Sequence, residues 1–146
     1  MCLNRIIGVD YGDKNIGVAL SCPNLAVALS LETIRRDSPL SFKKPILRIR
    51  EILREYDARV LVLGFPKNMD GSLGAACEKT LDFKERLHRN FKSLEIVLWD
   101  ERLTSVSASR ALSELGFGRE EALKRIDETS AALILQGYLD FLKNKG

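Results

Sequence analysis

At 146 residues, with 45% hydrophobic and 29% charged residues, the chain has the size and make-up of one globular domain spanning residues 1–146. No apolar run approaches the roughly 18 residues that span a bilayer, and Asp10 and Asp13 interrupt the N-terminal apolar stretch. Neither a membrane span nor a signal peptide is therefore expected, and a cytoplasmic location is. The net charge of +3 permits a nucleic-acid partner without demanding one. Three widely spaced cysteines and a single histidine, His88, argue against a disulfide framework, a structural zinc site and a serine-protease-like triad. Acid–base or metal chemistry must then use carboxylates.

In chain order, Asn4 to Asp10 reads as a buried strand that ends in a carboxylate. Tyr11-Gly12-Asp13-Lys14-Asn15 is a turn of residues that tolerate unusual backbone angles, and Ile16 to Ser21 is a second strand. Ala26 to Thr33 alternates well enough for a third, completing a meander. The period then changes: Ile46, Ile49, Ile52 and Leu53 predict a helix over Phe42 to Tyr56. Arg59 to Gly64 is a continuous aliphatic run, the mark of a strand buried on both faces. A polar loop from Phe65 to Gly74 leads to a helix over Ala75 to Asn90, then a short strand over Glu95 to Trp99. Thr104 to Leu115 and Ile126 to Lys143 predict two further helices, the last with a Leu133, Leu135, Leu139 and Phe141 stripe read as core. This order predicts an α/β fold: a mixed five-stranded sheet, a meander followed by alternating strands and helices, flanked by helices.

Such sheets place their sites beyond the carboxyl ends of the strands. Asp10, Asp100 and Glu101 fall at such ends, and Asp127 opens the last helix. Each has a plain structural explanation: Asp10 closing a turn, Asp100 and Glu101 in an ion-paired loop where Asp100 or Thr104 caps the next helix, Asp127 favoured by a helix dipole. Together, carboxylates from three separate elements suit Mg²⁺ or Mn²⁺, hard cations that prefer oxygen. Two such ions about 4 Å apart can activate a water and stabilise the leaving oxygen of a phosphodiester.

The stretches Gly8-Val9-Asp10-Tyr11-Gly12, Asn15-Ile16-Gly17-Val18-Ala19, Gly64-Phe65-Pro66-Lys67-Asn68-Met69-Asp70-Gly71-Ser72, Asp100-Glu101-Arg102-Leu103-Thr104-Ser105 and Ile126-Asp127 followed by Ser130-Ala131-Ala132 closely resemble the YqgF family. The match runs from about residue 6 to 140, with the motifs in the family's order. The resemblance implies an RNase H-like fold and a metal-dependent nuclease that matures the 5′ end of precursor 16S ribosomal RNA. The family has also been called a Holliday junction resolvase, which makes branched DNA the alternative substrate. Carried over residue by residue, Asp10, Glu101 and Asp127 become the metal-binding catalytic carboxylates. Two positions depart from the family pattern: Asn15 stands where an Arg is usual, with Lys14 left to supply charge, and Cys22 stands where an Asp is frequent.

Asn68, Asp70, Gly71 and Ser72 can offer hydrogen bonds to a phosphate or ribose, although a tight turn that needs Gly71 for positive φ explains them as well. Arg102 can clamp a phosphate or hold a neighbouring carboxylate. Clusters such as Arg35-Arg36, Lys43-Lys44, Arg48 and Arg50 are mostly solvated faces, of which some contact nucleic-acid backbone. Trp99 is read as core and His88 as a surface residue. A junction-cutting enzyme would also need a two-fold homodimer. A non-catalytic RNA-binding protein of ribosome assembly is the other reading, and a nucleotide-binding module is disfavoured by the absence of a second Asp-x-Gly loop.

Overall fold

A computed structural model describes residues 5–23, 25, 27–67, 70–101 and 130–145. Its strands are β1 (Ile6–Tyr11), β2 (Asn15–Ser21), β3 (Ala28–Arg35), β4 (Val60–Phe65) and β5 (Glu95–Asp100). Its helices are α1 (Lys43–Glu55), α2 (Ala75–Asn90) and α3 (Ser130–Lys145). The sheet order is β3-β2-β1-β4-β5. β1, β2 and β3 pair antiparallel, as a meander must, while β4 runs parallel to both β1 and β5. The expected mixed five-stranded sheet is therefore present. The helix expected over Thr104 to Leu115 and the start of the last one, Ile126 to Thr129, lie outside the described residues.

Alternation along the central strands divides the core into two layers. Ile7, Val9, Leu61 and Leu63 point to one face, where Ile49 and Ile52 of α1 and Phe83 and Leu87 of α2 cover them. Ile6 and Val62 point to the other, against Ala131, Ile134, Leu135 and Leu139 of α3. Burying both faces explains why β4 reads as an unbroken aliphatic run. α3 packs unusually close to β1: a Cβ on Gly8 would lie 2.6 Å from the Leu135 Cβ. The face that α3 buries is thus set by Ala131, Ile134, Leu135 and Leu139. The expected Leu133 to Phe141 stripe is corrected at its ends, since Leu133 is only half-buried and Phe141 is exposed. Phe141 instead lies beside Trp99, which also meets Tyr138 edge-on.

β3 begins two residues later than its alternation suggests. Cys22 and Leu25 close a turn, with the Leu25 N–H donating to the Cys22 carbonyl and the Cys22 N–H donating to the Val27 carbonyl. The strand then continues to Arg35, opposite Asn15. As an edge strand it leaves Leu29 half exposed, so its apolar residues carry a weaker periodic signal than those of β1 or β4. Among the described residues no helix is long and apolar enough to cross a membrane.

Candidate active site at the carboxyl ends of β1 and β5

β1, β4 and β5 run in the same direction, so their carboxyl ends share one edge of the sheet. Asp10 lies at the end of β1, and Glu101 directly follows β5. Between them runs β4, and there the side chain is absent. A Cβ on Gly64 would lie 2.5 Å from Glu101 Oε1 and 2.5 Å from the Ile134 Cδ1. Glycine at this position leaves the space that the Glu101 carboxyl occupies as it reaches across β4 toward Asp10. The two carboxyls are hydrogen-bonded to each other.

That approach has an electrostatic consequence. Burial, followed by the charge of Asp10, the shared hydrogen bond and the charge of Asp100, pushes Glu101 up to about 7. Glu101 is therefore only about half ionised at neutral pH, where an ordinary glutamate has lost its proton. A second restraint comes from α3. The Ser130 hydroxyl donates to Asp10 Oδ2 at 2.6 Å, fixing that carboxylate to the first turn of the helix. Opposite Asp10 in the β1–β2 ladder is Gly17, where a Cβ would lie 3.8 Å from the Asp10 Cβ and 3.4 Å from the Ala131 Cβ.

Beside Asp10 opens a cavity of about 360 Å³, walled by Asn15, Gly17, Ser30, Glu32 and Ser130 among others. Glu32 lines it as a second acid beside Asp10. The Arg48 guanidinium, however, hydrogen-bonds both Glu32 oxygens and holds Glu32 below the usual carboxylate range. Glu32 is thus a paired anion in the cavity wall. The turn after Asp10 is fixed from below by Arg36, a buried guanidinium whose donors reach the Tyr11 hydroxyl and the carbonyls of Gly12, Pro39 and Ser41. Lys79 of α2 pairs with Asp13 in the same turn at 3.0 Å.

The expected site residues fall into three groups. Asp10 and Glu101 are brought together. Asp70, Gly71 and Ser72 form a turn in which Asp70 Oδ1 accepts hydrogen bonds from the Ser72 N–H and hydroxyl, and Gly71 adopts φ 87°. Lys14 is exposed on the β1–β2 turn, where its carbonyl accepts from the Arg36 N–H. Asp127, Asn68 and Arg102 lie outside the described residues. Ser130, Gly64 and Glu32 had no assigned role in the sequence, and the reading of Arg35-Arg36 as a solvated face is corrected at Arg36, whose guanidinium is buried and spent on hydrogen bonds within the fold. The small-residue run Ser130-Ala131-Ala132 is the one local sign that a helix start must approach the sheet closely.

The donor set fits a divalent cation. Two carboxyls forced into one space and sharing a proton are relieved by positive charge, and oxygen ligands suit Mg²⁺ or Mn²⁺. Among the described residues Asp10 and Glu101 would hold the ion.

A family model described as "RuvX: Holliday junction resolvase" matches residues 4–141. The chain is 46% identical over 140 residues to a protein of Agathobacter rectalis named "Putative pre-16S rRNA nuclease", covering 96% of this chain and 97% of that one. A protein of the same name from Thermoanaerobacter pseudethanolicus is 46% identical over 142 residues, covering 97% and 99%. Among solved structures, T. thermophilus RuvC in complex with Holliday junction substrate matches with a TM-score of 0.62 at 13% identity, covering 98% of this chain and 97% of that one. The yeast mitochondrial Holliday junction resolvase Ydc2 matches with a TM-score of 0.56 at 12% identity, covering 93% and 78%. These structural likenesses establish the RNase H-like fold. With the motifs, the sheet and the full-length relatives in agreement, the chain belongs to the RuvX family, the YqgF family that its sequence resembles.

Proposed function

We propose that this protein is a cytoplasmic metal-dependent nuclease that hydrolyses phosphodiester bonds during 5′-end maturation of precursor 16S rRNA. The observation that carries the reading is the Asp10–Glu101 pair, two carboxyls sharing a hydrogen bond at the carboxyl end of a mixed sheet. The names of the full-length relatives support RNA as the substrate. In this reading Asp10, Glu101 and Asp127 are the catalytic metal ligands for a pair of Mg²⁺ or Mn²⁺ ions. Lys14, Asn68, Asp70, Gly71, Ser72 and Arg102 contact the substrate.

When bound, the ions supply a water of lowered pKa and neutralise charge on the leaving oxygen. The chain's own residues do the rest. Ser130 restrains Asp10 through one carboxylate oxygen. Gly64 leaves room for Glu101, and loss of the proton that Glu101 holds against Asp10 frees both groups to act as ligands. The test is cleavage of precursor RNA with and without Mg²⁺, in wild type and Asp10→Asn. Activity that needs the metal and vanishes in the variant supports the reading, and undiminished cleavage by Asp10→Asn contradicts it.

The family model's description favours a second substrate, four-way DNA, cut by a two-fold homodimer. The same carboxylates serve both. Parallel assays on a DNA junction and on precursor RNA separate the two.

A further inference from the structure

At the opposite end of the sheet from Asp10 and Glu101, where β4 and β5 begin and α1 and α2 end, lies a concavity of about 790 Å³. Arg50, Arg54, Arg59, Arg89 and Lys92 all line it, with Asp57 the only acid in its wall among the described residues. Glu55 and Glu95, close in sequence, do not line it. Arg54, Arg59, Arg89 and Lys92 are exposed, and among the described residues none of the five cations is in an ion pair. Arg50 is held over the Phe91 ring, 5.5 Å from its centroid, within the roughly 6 Å over which such a contact is attractive.

Cations at helix C-termini have an ordinary use, since they complement the helix dipole. Arg54 and Arg89 sit in the last turns of α1 and α2 and serve it. The count exceeds that need. Two helix ends contribute about half a negative charge each, and Asp57 adds one, leaving about three positive charges uncompensated.

We infer that this concavity is a second contact surface for nucleic acid, gripping phosphodiester backbone remote from the bond being cut. The inference rests on the reading of the chain as a nucleic-acid enzyme, and it adds where else the substrate is held. β4 and β5, of six residues each, separate the two ends by about 20 Å, several base-paired steps of a duplex. A tetranucleotide seated at the carboxylates does not reach the basic end, whereas a folded RNA does.

The test measures binding of full-length protein to an RNA stem-loop of about twelve base pairs, in EDTA so that no metal contributes, across about 50 to 200 mM salt. Two double variants reverse charge at exposed positions: Arg54→Glu with Arg89→Glu, and Arg59→Glu with Lys92→Glu, the latter outside the helices. Each is expected to bind several-fold more weakly and to lower the slope of log K against log salt by about 2, the loss of two phosphate contacts. Both are expected to cleave a tetranucleotide in Mg²⁺ at the wild-type rate. Unchanged affinity and slope in both variants overturns the inference, as does an equal loss on the tetranucleotide. Failure of the catalytic reading shows separately, as cleavage that survives Asp10→Asn.

Discussion

The Ser130 hydroxyl donates to Asp10 Oδ2 at 2.6 Å, so the first residue of α3 fixes the carboxylate at the end of β1, 120 positions earlier in the chain. A partner of this kind orients a metal-binding carboxylate and removes its rotational freedom. Ser130→Ala is expected to weaken the apparent affinity for Mg²⁺ by about tenfold or more, with a loss of stability of about 1–2 kcal/mol. Metal titration of cleavage and thermal unfolding measure the two. An unchanged titration midpoint would mean that the hydrogen bond has no part in metal binding.

Gly64 leaves the space that Glu101 uses. In Gly64→Ala the new methyl meets Glu101 Oε1 and Ile134 Cδ1, both at 2.5 Å, so a carboxylate and a core side chain must move together. Overpacking of this sort costs about 1–3 kcal/mol, while displacement of a catalytic carboxyl by about 1 Å costs on the order of 10²-fold in rate. Activity is therefore expected to fall further than stability. A variant with near-normal kcat and a lowered Tm would show that Glu101 does not need its present position.

Burial and the neighbouring Asp10 raise Glu101 from 4.5 to about 7, and the sign of the pH effect follows. Between those values the folded chain keeps a proton that the unfolded chain has released. The stability that this proton confers is complete below pH 4.5 and is lost as pH rises through about 7. In EDTA, unfolding across that range is expected to show a decline of about 1–2 kcal/mol from this group, reduced by its partial solvent exposure. Glu101→Gln should remove the decline. Apparent Mg²⁺ affinity should rise with pH through the same interval, because binding displaces the proton. Identical pH profiles for wild type and Glu101→Gln would contradict the pairing.

Arg36 is buried and satisfies the Tyr11 hydroxyl together with the carbonyls of Gly12, Pro39 and Ser41. A lysine keeps the charge but lacks the planar fork that reaches four acceptors. Arg36→Lys is expected to destabilise the fold by about 1–3 kcal/mol, measured by denaturant unfolding, because acceptors are left unpaired. A variant as stable as wild type would mean that these acceptors find other donors.

Much of the fold was legible because its signals are local. Ile46, Ile49, Ile52 and Leu53 mark α1 by spacing alone, and the run through Val60, Leu61, Val62 and Leu63 marks a strand covered on both sides. The β3 boundary was not legible, because an edge strand alternates weakly and the turn through Leu25 uses positive φ without a glycine. At the site, Asp10 and Glu101 stood out as acids closing apolar strands. Ser130 did not, since a serine before two alanines reads equally as a helix start. Gly64 looked like the end of a strand, and only the crossing of Glu101 over β4 gives its missing side chain a purpose. The Glu32–Arg48 pairing joins an edge strand to a helix 16 residues away, a contact that no local pattern announces.

The most direct test of the central claim is a side-by-side cleavage assay of wild type and Asp10→Asn on precursor 16S RNA and on a four-way DNA junction, with Mg²⁺ and with EDTA. The account predicts Mg²⁺-dependent shortening of the RNA 5′ end by wild type, faster than any cutting of the junction, and none by Asp10→Asn. Cleavage of the RNA by Asp10→Asn at the wild-type rate, or by wild type in EDTA, would contradict it.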